Sequence, residues 1–151
     1  MEQPHTLSIH TLQQDLPQVE ELLDSYIGKQ NEKYGDILIV TTEALTNALI
    51  HWNKKDANKT ASLTLRYETN QKGAEQELIH ILTIIVTDEW APFDHTIVPD
   101  PTDKESLHKE WWRWLFLMKK LSDAIIFQHT GNWNQITITF HIPVWAEHNV
   151  V

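Results

Sequence analysis

Apolar and polar positions along the chain divide it into short, distinct periods. Thr6–Thr11 alternates weakly, as an edge strand would. Leu16, Val19, Leu22, Leu23, Tyr26 and Ile27 then recur at helical spacing. Asp15 is placed to cap that helix with Pro17 in its first turn, and Gly28 to stop it. A second helix is expected from near Asp36 to about His51. Ile37, Val40, Ala44 and Ala48, flanked by Leu38, Leu45 and Leu49, give it a wide buried face. Asn53–Lys59 is polar and reads as a loop. Ala61–Glu68 alternates as a strand with Leu63, Leu65 and Tyr67 on one side, and Thr69–Gln76 is a turn-rich connection. Leu78–Asp88 is the next strand, and its Ile-Ile-Val run points to burial on both faces. Ala91–Ser106, with Pro92, Pro99 and Pro101, reads as a long loop, and Leu107–Leu121 is helical by pattern. Ala124–His129 and Gln135–Ile142 form a hairpin around Thr-Gly-Asn-Trp-Asn.

This order of elements predicts an α+β fold. It is a two-layer α/β sandwich with three main helices on a four- to five-stranded mixed, mainly antiparallel sheet. One domain is expected over residues 1–143, with a loose tail over 144–151. A chain of 151 residues suits one domain with a real core. Its 41% hydrophobic and 22% charged residues are an ordinary globular balance.

Charge and cysteine usage narrow the chemistry. The formal net charge of −9 is the wrong sign for nonspecific nucleic-acid binding. No cysteine is present, so a disulfide framework, a thiol nucleophile and a thiolate zinc site are excluded. The first residues show neither a basic start nor an apolar run, and no stretch approaches the roughly 20 apolar residues of a membrane span. A cytoplasmic protein is expected.

Three segments carry candidate chemistry. In Glu-Ala-Leu-Thr-Asn-Ala-Leu-Ile-His, Glu43 and Asn47 are four apart and share one helix face. A carboxylate beside an amide oxygen can hold Mg²⁺ with waters or orient a hydroxyl, although an ordinary solvated face has the same spacing. Asp88 stands where a buried strand meets a loop. A carboxylate there can accept from an exocyclic amine while apolar walls hold the ring, or it can simply cap a turn. Glu110–Asp123 is the place for a loop entering a helix N-terminus, the geometry that binds phosphates, with Arg113 as a charged donor. The other reading of that segment is a bulky amphipathic helix packed on the sheet. The nine histidines form no metal motif.

Together and in this order, the three segments resemble the GHKL ATPase superfamily, and within it the anti-sigma-factor serine kinases. Glu43–Lys54 is similar to the N-box, E-A-x-x-N-A-x-x-H-G-N. Asp88–Asp94 is similar to the adenine-binding box, D-x-G-x-G-F-D. Glu110–Asp123 is similar to the glycine-rich lid end and the helix that follows it. The resemblance covers roughly Leu7 to Ile142. It implies ATP and Mg²⁺ as cofactors, Glu43 as the acid acting on the acceptor hydroxyl, Asn47 as the Mg²⁺ ligand and Asp88 as the adenine-reading carboxylate. Arg113 falls in the lid motif near the phosphates, and Trp90, Trp111, Trp112 and Trp114 fall at its nucleotide-contacting glycine positions. It further implies a sigma factor and a STAS-type anti-anti-sigma protein as partners, and a homodimer.

The departures are all of one kind. Trp52, Trp90, Trp111, Trp112 and Trp114 stand where the family has or tolerates glycine, and Trp133 follows Asn132 where Asn-Gly is the strongest hairpin signal. The chain has 7 Trp and 4 Gly; with glycine at those six positions it would have ten glycines and one tryptophan, close to ordinary usage. One account is a degenerate binding module whose site is filled with indoles. The other is a UGA codon that the host reads as glycine, here translated as tryptophan. Decay would scatter many residue types through a dead site. Here Glu43, Asn47 and Asp88 stay and only glycines change, always to Trp, which favours the codon account.

Overall fold

The computed structural model describes residues 3–52, 61–88, 110–130 and 133–144. In chain order its elements are β1 (His5–Ile9), α1 (Leu12–Ile27), α2 (Tyr34–Thr46) continued by a π-helical segment (Asn47–Trp52), β2 (Ala61–Lys72), β3 (Leu78–Asp88), α3 (Glu110–Leu121), β4 (Ala124–Thr130) and β5 (Trp133–Pro143). The segments expected as loops at 53–59 and 91–106, together with Trp90 and residues 145–151, lie outside the described residues.

The strands form one sheet in the order β1-β2-β3-β5-β4, and every pairing is antiparallel, so the sheet is not mixed. Side chains alternate across it. Leu63, Leu65 and Tyr67 of β2, Leu82, Ile84 and Val86 of β3, and Ile136, Ile138, Phe140 and Ile142 of β5 are buried on one face. The helices close that face with Val19, Leu23 and Ile27 of α1, Ile37, Val40 and Ala44 of α2, and Leu115 and Met118 of α3. The expectation of burial on both faces of β3 is corrected here. Ile85, between Ile84 and Val86, is only half-buried, and among the described residues no layer covers the second face. Phe140 is fully enclosed at the centre. Phe140→Ala should lower unfolding free energy by about 3–5 kcal/mol in urea titration, through lost transfer energy and the cavity left behind.

Local chemistry explains the shifted boundaries. Thr11, not Asp15, caps α1: its backbone is extended and its Oγ1 accepts from the Gln14 N–H at 3.1 Å. Asp15 sits inside the first turn, where its carboxylate accepts from the His10 and Thr11 N–H groups at 2.7 and 3.2 Å. Gly28 ends the helix as expected, with φ of 85° and its N–H donating to the Asp24 carbonyl. α2 starts at Tyr34 rather than Asp36, because burial of Tyr34 in the core offsets the poor helix propensity of Gly35. β2 runs past Glu68 to Lys72 through a register irregularity between Glu68 and Gln71. Asn70 takes a positive φ there and donates its N–H to His80 Nδ1 at 3.1 Å.

Candidate functional site

One end of the sheet carries two buried polar side chains among the described residues. β3 ends there at Asp88, in register with Asn134 at the start of β5. β2 begins there, with Ser62 opposite Thr87. The π-helical segment packs against β3 and precedes β2 in the chain, and α3 follows β3 in the chain and packs against α2.

Glu43 lies in the last turn of α2, and Asn47, one turn on, opens the π-helical segment. Asn47 is buried and donates from Nδ2 to the Glu43 backbone carbonyl at 2.8 Å. That bond engages the amide nitrogen and leaves Oδ1 as the atom available to a hard cation. Glu43 itself is half-buried, so its carboxylate keeps access to an incoming group. From Asn47 onward the backbone widens from α to π-helical winding. Such segments occur often at functional sites, because the wider turn re-aims the side chains of the last turn. Trp52 closes the segment. Positive φ among the described residues occurs only at Gly28, Asn70 and Gln76, so Trp52 does not take the left-handed backbone expected of a glycine after a helix end.

Asp88 is 1% exposed and lies on the helix-facing side of β3, in the same inward row as Val86 and Ile84. Its cross-strand neighbour Asn134, also buried, donates from Nδ2 to Asp88 Oδ1 in a long contact of 3.4 Å. Asn134 is not among the residues that the sequence singled out. Its signal was parity: it heads the inward series Ile136, Ile138 and Phe140 with a polar side chain where an apolar one is due. A buried carboxylate is costly unless it is hydrogen-bonded. Its oxygens are acceptors, which suit an exocyclic amine.

The lid-end segment is helical from Glu110, the first described residue of α3, and 107–109 lie outside the described residues. Trp111, Trp112, Arg113 and Trp114 lie in the first described turn of this helix, described through its backbone only. The first four N–H groups of a helix lack intrahelical partners and are the groups an anion uses. Trp133 is a correction. β4 ends at Thr130, and Thr130 pairs with Trp133, so Trp133 opens β5 and only Gly131 and Asn132 join the strands. A turn does not demand glycine at position 133. No group of three or more His, Cys, Asp or Glu side chains converges as a metal site among the described residues. Asn47 and Glu43 offer hard oxygens, which suits Mg²⁺ held mainly by phosphates and water. No helix among the described residues is long and apolar enough to cross a membrane.

The arrangement is a two-layer sandwich with a polar site at one sheet end, beside the helical layer. A model of the histidine kinase-like ATPase domain matches residues 11–140. The chain belongs to that family, and so to the GHKL superfamily of ATP-binding modules. Among solved structures it is similar to the Erythrobacter litoralis EL346 blue-light activated histidine kinase, at 18% identity and a TM-score of 0.46, over 85% of this chain and 40% of that one. It is also similar to the histidine kinase domain from that protein, at 18% identity and a TM-score of 0.44, over 93% of this chain and 64% of that one. The chain thus spans less than two thirds of either. No curated protein matches it.

Proposed function

We propose that this chain, with glycine at the nucleotide-contacting positions now written as tryptophan, is a cytoplasmic ATP-dependent protein-serine kinase of the anti-sigma-factor type. It would regulate transcription by binding a sigma factor and phosphorylating a serine on a STAS-type anti-anti-sigma protein. The observation that carries this reading is the pairing of Glu43 and Asn47. One helix turn separates an accessible carboxylate from a buried amide whose nitrogen is already tied to the backbone. When bound, ATP supplies the phosphoryl group and Mg²⁺ offsets the charge of its phosphates. Asn47 Oδ1 would hold the cation, Asp88 would accept from the adenine amine, and Arg113 at the start of α3 would lie near the phosphates. Glu43 would orient the serine hydroxyl and take its proton as Oγ gains the phosphoryl group.

This division of labour separates binding from turnover. In the glycine form, Glu43→Ala should leave ATP affinity within about threefold while lowering transfer to a STAS-domain serine by roughly 10²–10⁴-fold, the usual worth of a positioned acid or base. Calorimetry and a radiolabelled transfer assay read the two quantities. Equal loss of both would remove Glu43 from the proposed role.

The second reading is a module of the same fold that sequesters a partner without turnover. It is favoured by Trp90, Trp111, Trp112 and Trp114 standing at positions where the family brings backbone close to nucleotide.

A further inference from the structure

Before Lys29 the chain carries Glu2, Asp15, Glu20, Glu21 and Asp24 and neither Lys nor Arg. This acidic stretch folds into β1 and α1. Side chains alternate along β1, so His5, Leu7 and Ile9 share its helix-facing side; Ile9 is buried and Leu7 is half-buried. On α1, Gln18, Leu22 and Ser25 recur at helical spacing and form a stripe beside the buried Val19, Leu23 and Ile27. Between that stripe and β1 runs an open groove of about 260 Å³, lined by His5, Leu7, Gln18, Glu21, Leu22 and Ser25. Its apolar lining is Leu7 and Leu22, both half-buried, while His5, Gln18, Glu21 and Ser25 are exposed around it. β1 stands two strands from β3 and its Asp88, so this groove is separate from the candidate nucleotide site.

We infer that this groove takes a short cationic segment of a partner protein, one that presents a leucine- or valine-sized side chain between lysines or arginines. Size argues against a cofactor. Small-molecule pockets run to about 300–1,000 Å³ and enclose most of their ligand, whereas this groove is smaller and open. It has room for a side chain or two of a peptide. Covering Leu7 and Leu22 is favourable, because each is left partly in water. Charge then selects among occupants. Glu21 stands on the groove, with Glu20 and Asp24 beside it on α1, and no Lys or Arg of β1 or α1 offsets them. The same field reaches Tyr34, whose hydroxyl is held above the ordinary phenol range by burial first and then by Glu20 and Asp24. Lysines or arginines flanking a docked apolar side chain meet these carboxylates. A second copy, with its net charge of −9, brings like charge to them instead.

Fluorescence anisotropy with the labelled peptide Lys-Thr-Lys-Leu-Lys-Thr-Lys tests this on the full chain without nucleotide. The tryptophans at family glycine positions all lie after α1, so the chain as written serves. We expect saturable binding with a dissociation constant on the order of 100 µM, as for a contact of a few side chains. Alanine in place of the peptide's leucine should weaken it at least about tenfold, since the buried leucine is the anchor. Glu21→Lys should weaken it about three- to tenfold, and added salt should act in the same direction. Ser25→Phe and Gln18→Phe, both at exposed positions, should each fill the groove and abolish binding with net charge and circular dichroism unchanged. Equal affinity for the leucine and alanine peptides would mean only a cation drawn to an acidic chain, and would overturn the inference. So would binding indifferent to both phenylalanine variants, or no saturation at millimolar peptide. A phenylalanine variant that changed the chain's own assembly and left peptide affinity intact would assign the groove to a second copy, and the inference would fail. Because no nucleotide is present, each result leaves the kinase reading standing or falling on its own assays.

Discussion

Titrated with ATP and Mg²⁺, the chain as written should give no measurable binding heat, and the form with glycine at positions 52, 90, 111, 112, 114 and 133 should bind with micromolar affinity or better. The expected change is the largest proposed for this protein. The phosphate site requires backbone N–H groups to face an anion without side chains between them. Positions 111, 112 and 114 lie in the lid-end segment at the described start of α3. Tryptophan at these positions, and at 90 two residues after Asp88, replaces glycines that the family sets against the nucleotide. Forcing one such ring into a packed site costs about 1–3 kcal/mol in strain alone. Micromolar affinity in the tryptophan form would refute the argument.

The same substitutions, tested singly, separate the positions. Trp133→Gly should matter least, because Trp133 opens β5 opposite Thr130 and is not a turn residue. The codons can be read before any protein is made. UGA at all six positions makes the glycine form the protein to assay, and UGG would leave the sequestering module as the better account. The register finding at 133 bears on the physical half of this case only. Glycine is no longer required there by turn geometry.

The fold was legible wherever burial alternated without interruption. β3 spans the expected Leu78–Asp88 because its inward series runs unbroken to Asp88. β2 runs past its expected end at Glu68: Asn70 and Lys72 are residue types depleted in strands, and the pairing of Gln71 with Ile79 and of Lys72 with Leu78 is a tertiary fact, reached through one positive φ at Asn70. Asp15 and Thr11 can both cap a helix, and only the path of the chain decides which side chain meets a free N–H. Glu43 and Asn47 were legible through helical spacing, and Asp88 through its place after an apolar run. Asn134 was not, since its relevance depends on the β3–β5 register that sets it opposite Asp88.

Asp88→Ala in the glycine form should reduce ATP affinity by roughly 10–150-fold, the range for a hydrogen bond to a charged group of about 1.5–3 kcal/mol. The side chain is 1% exposed, so solvent cannot replace the bond it makes to a ligand. A nucleotide comparison distinguishes recognition from misfolding. Inosine triphosphate has the same phosphates and ribose but a carbonyl where adenine has its amine. A carboxylate acceptor should therefore discriminate against it, and with Asp88→Ala the two nucleotides should bind nearly alike. A variant that merely unfolded would lose both equally, and its circular dichroism would change. Asn134→Ala should have a smaller effect of the same kind. Asn134 touches Asp88 only through a 3.4 Å contact and acts by holding the carboxylate's orientation. If Asp88→Ala lowered affinity for both nucleotides by the same factor in a folded protein, Asp88 would be a structural residue at the strand end, and the adenine would have to be read by another group.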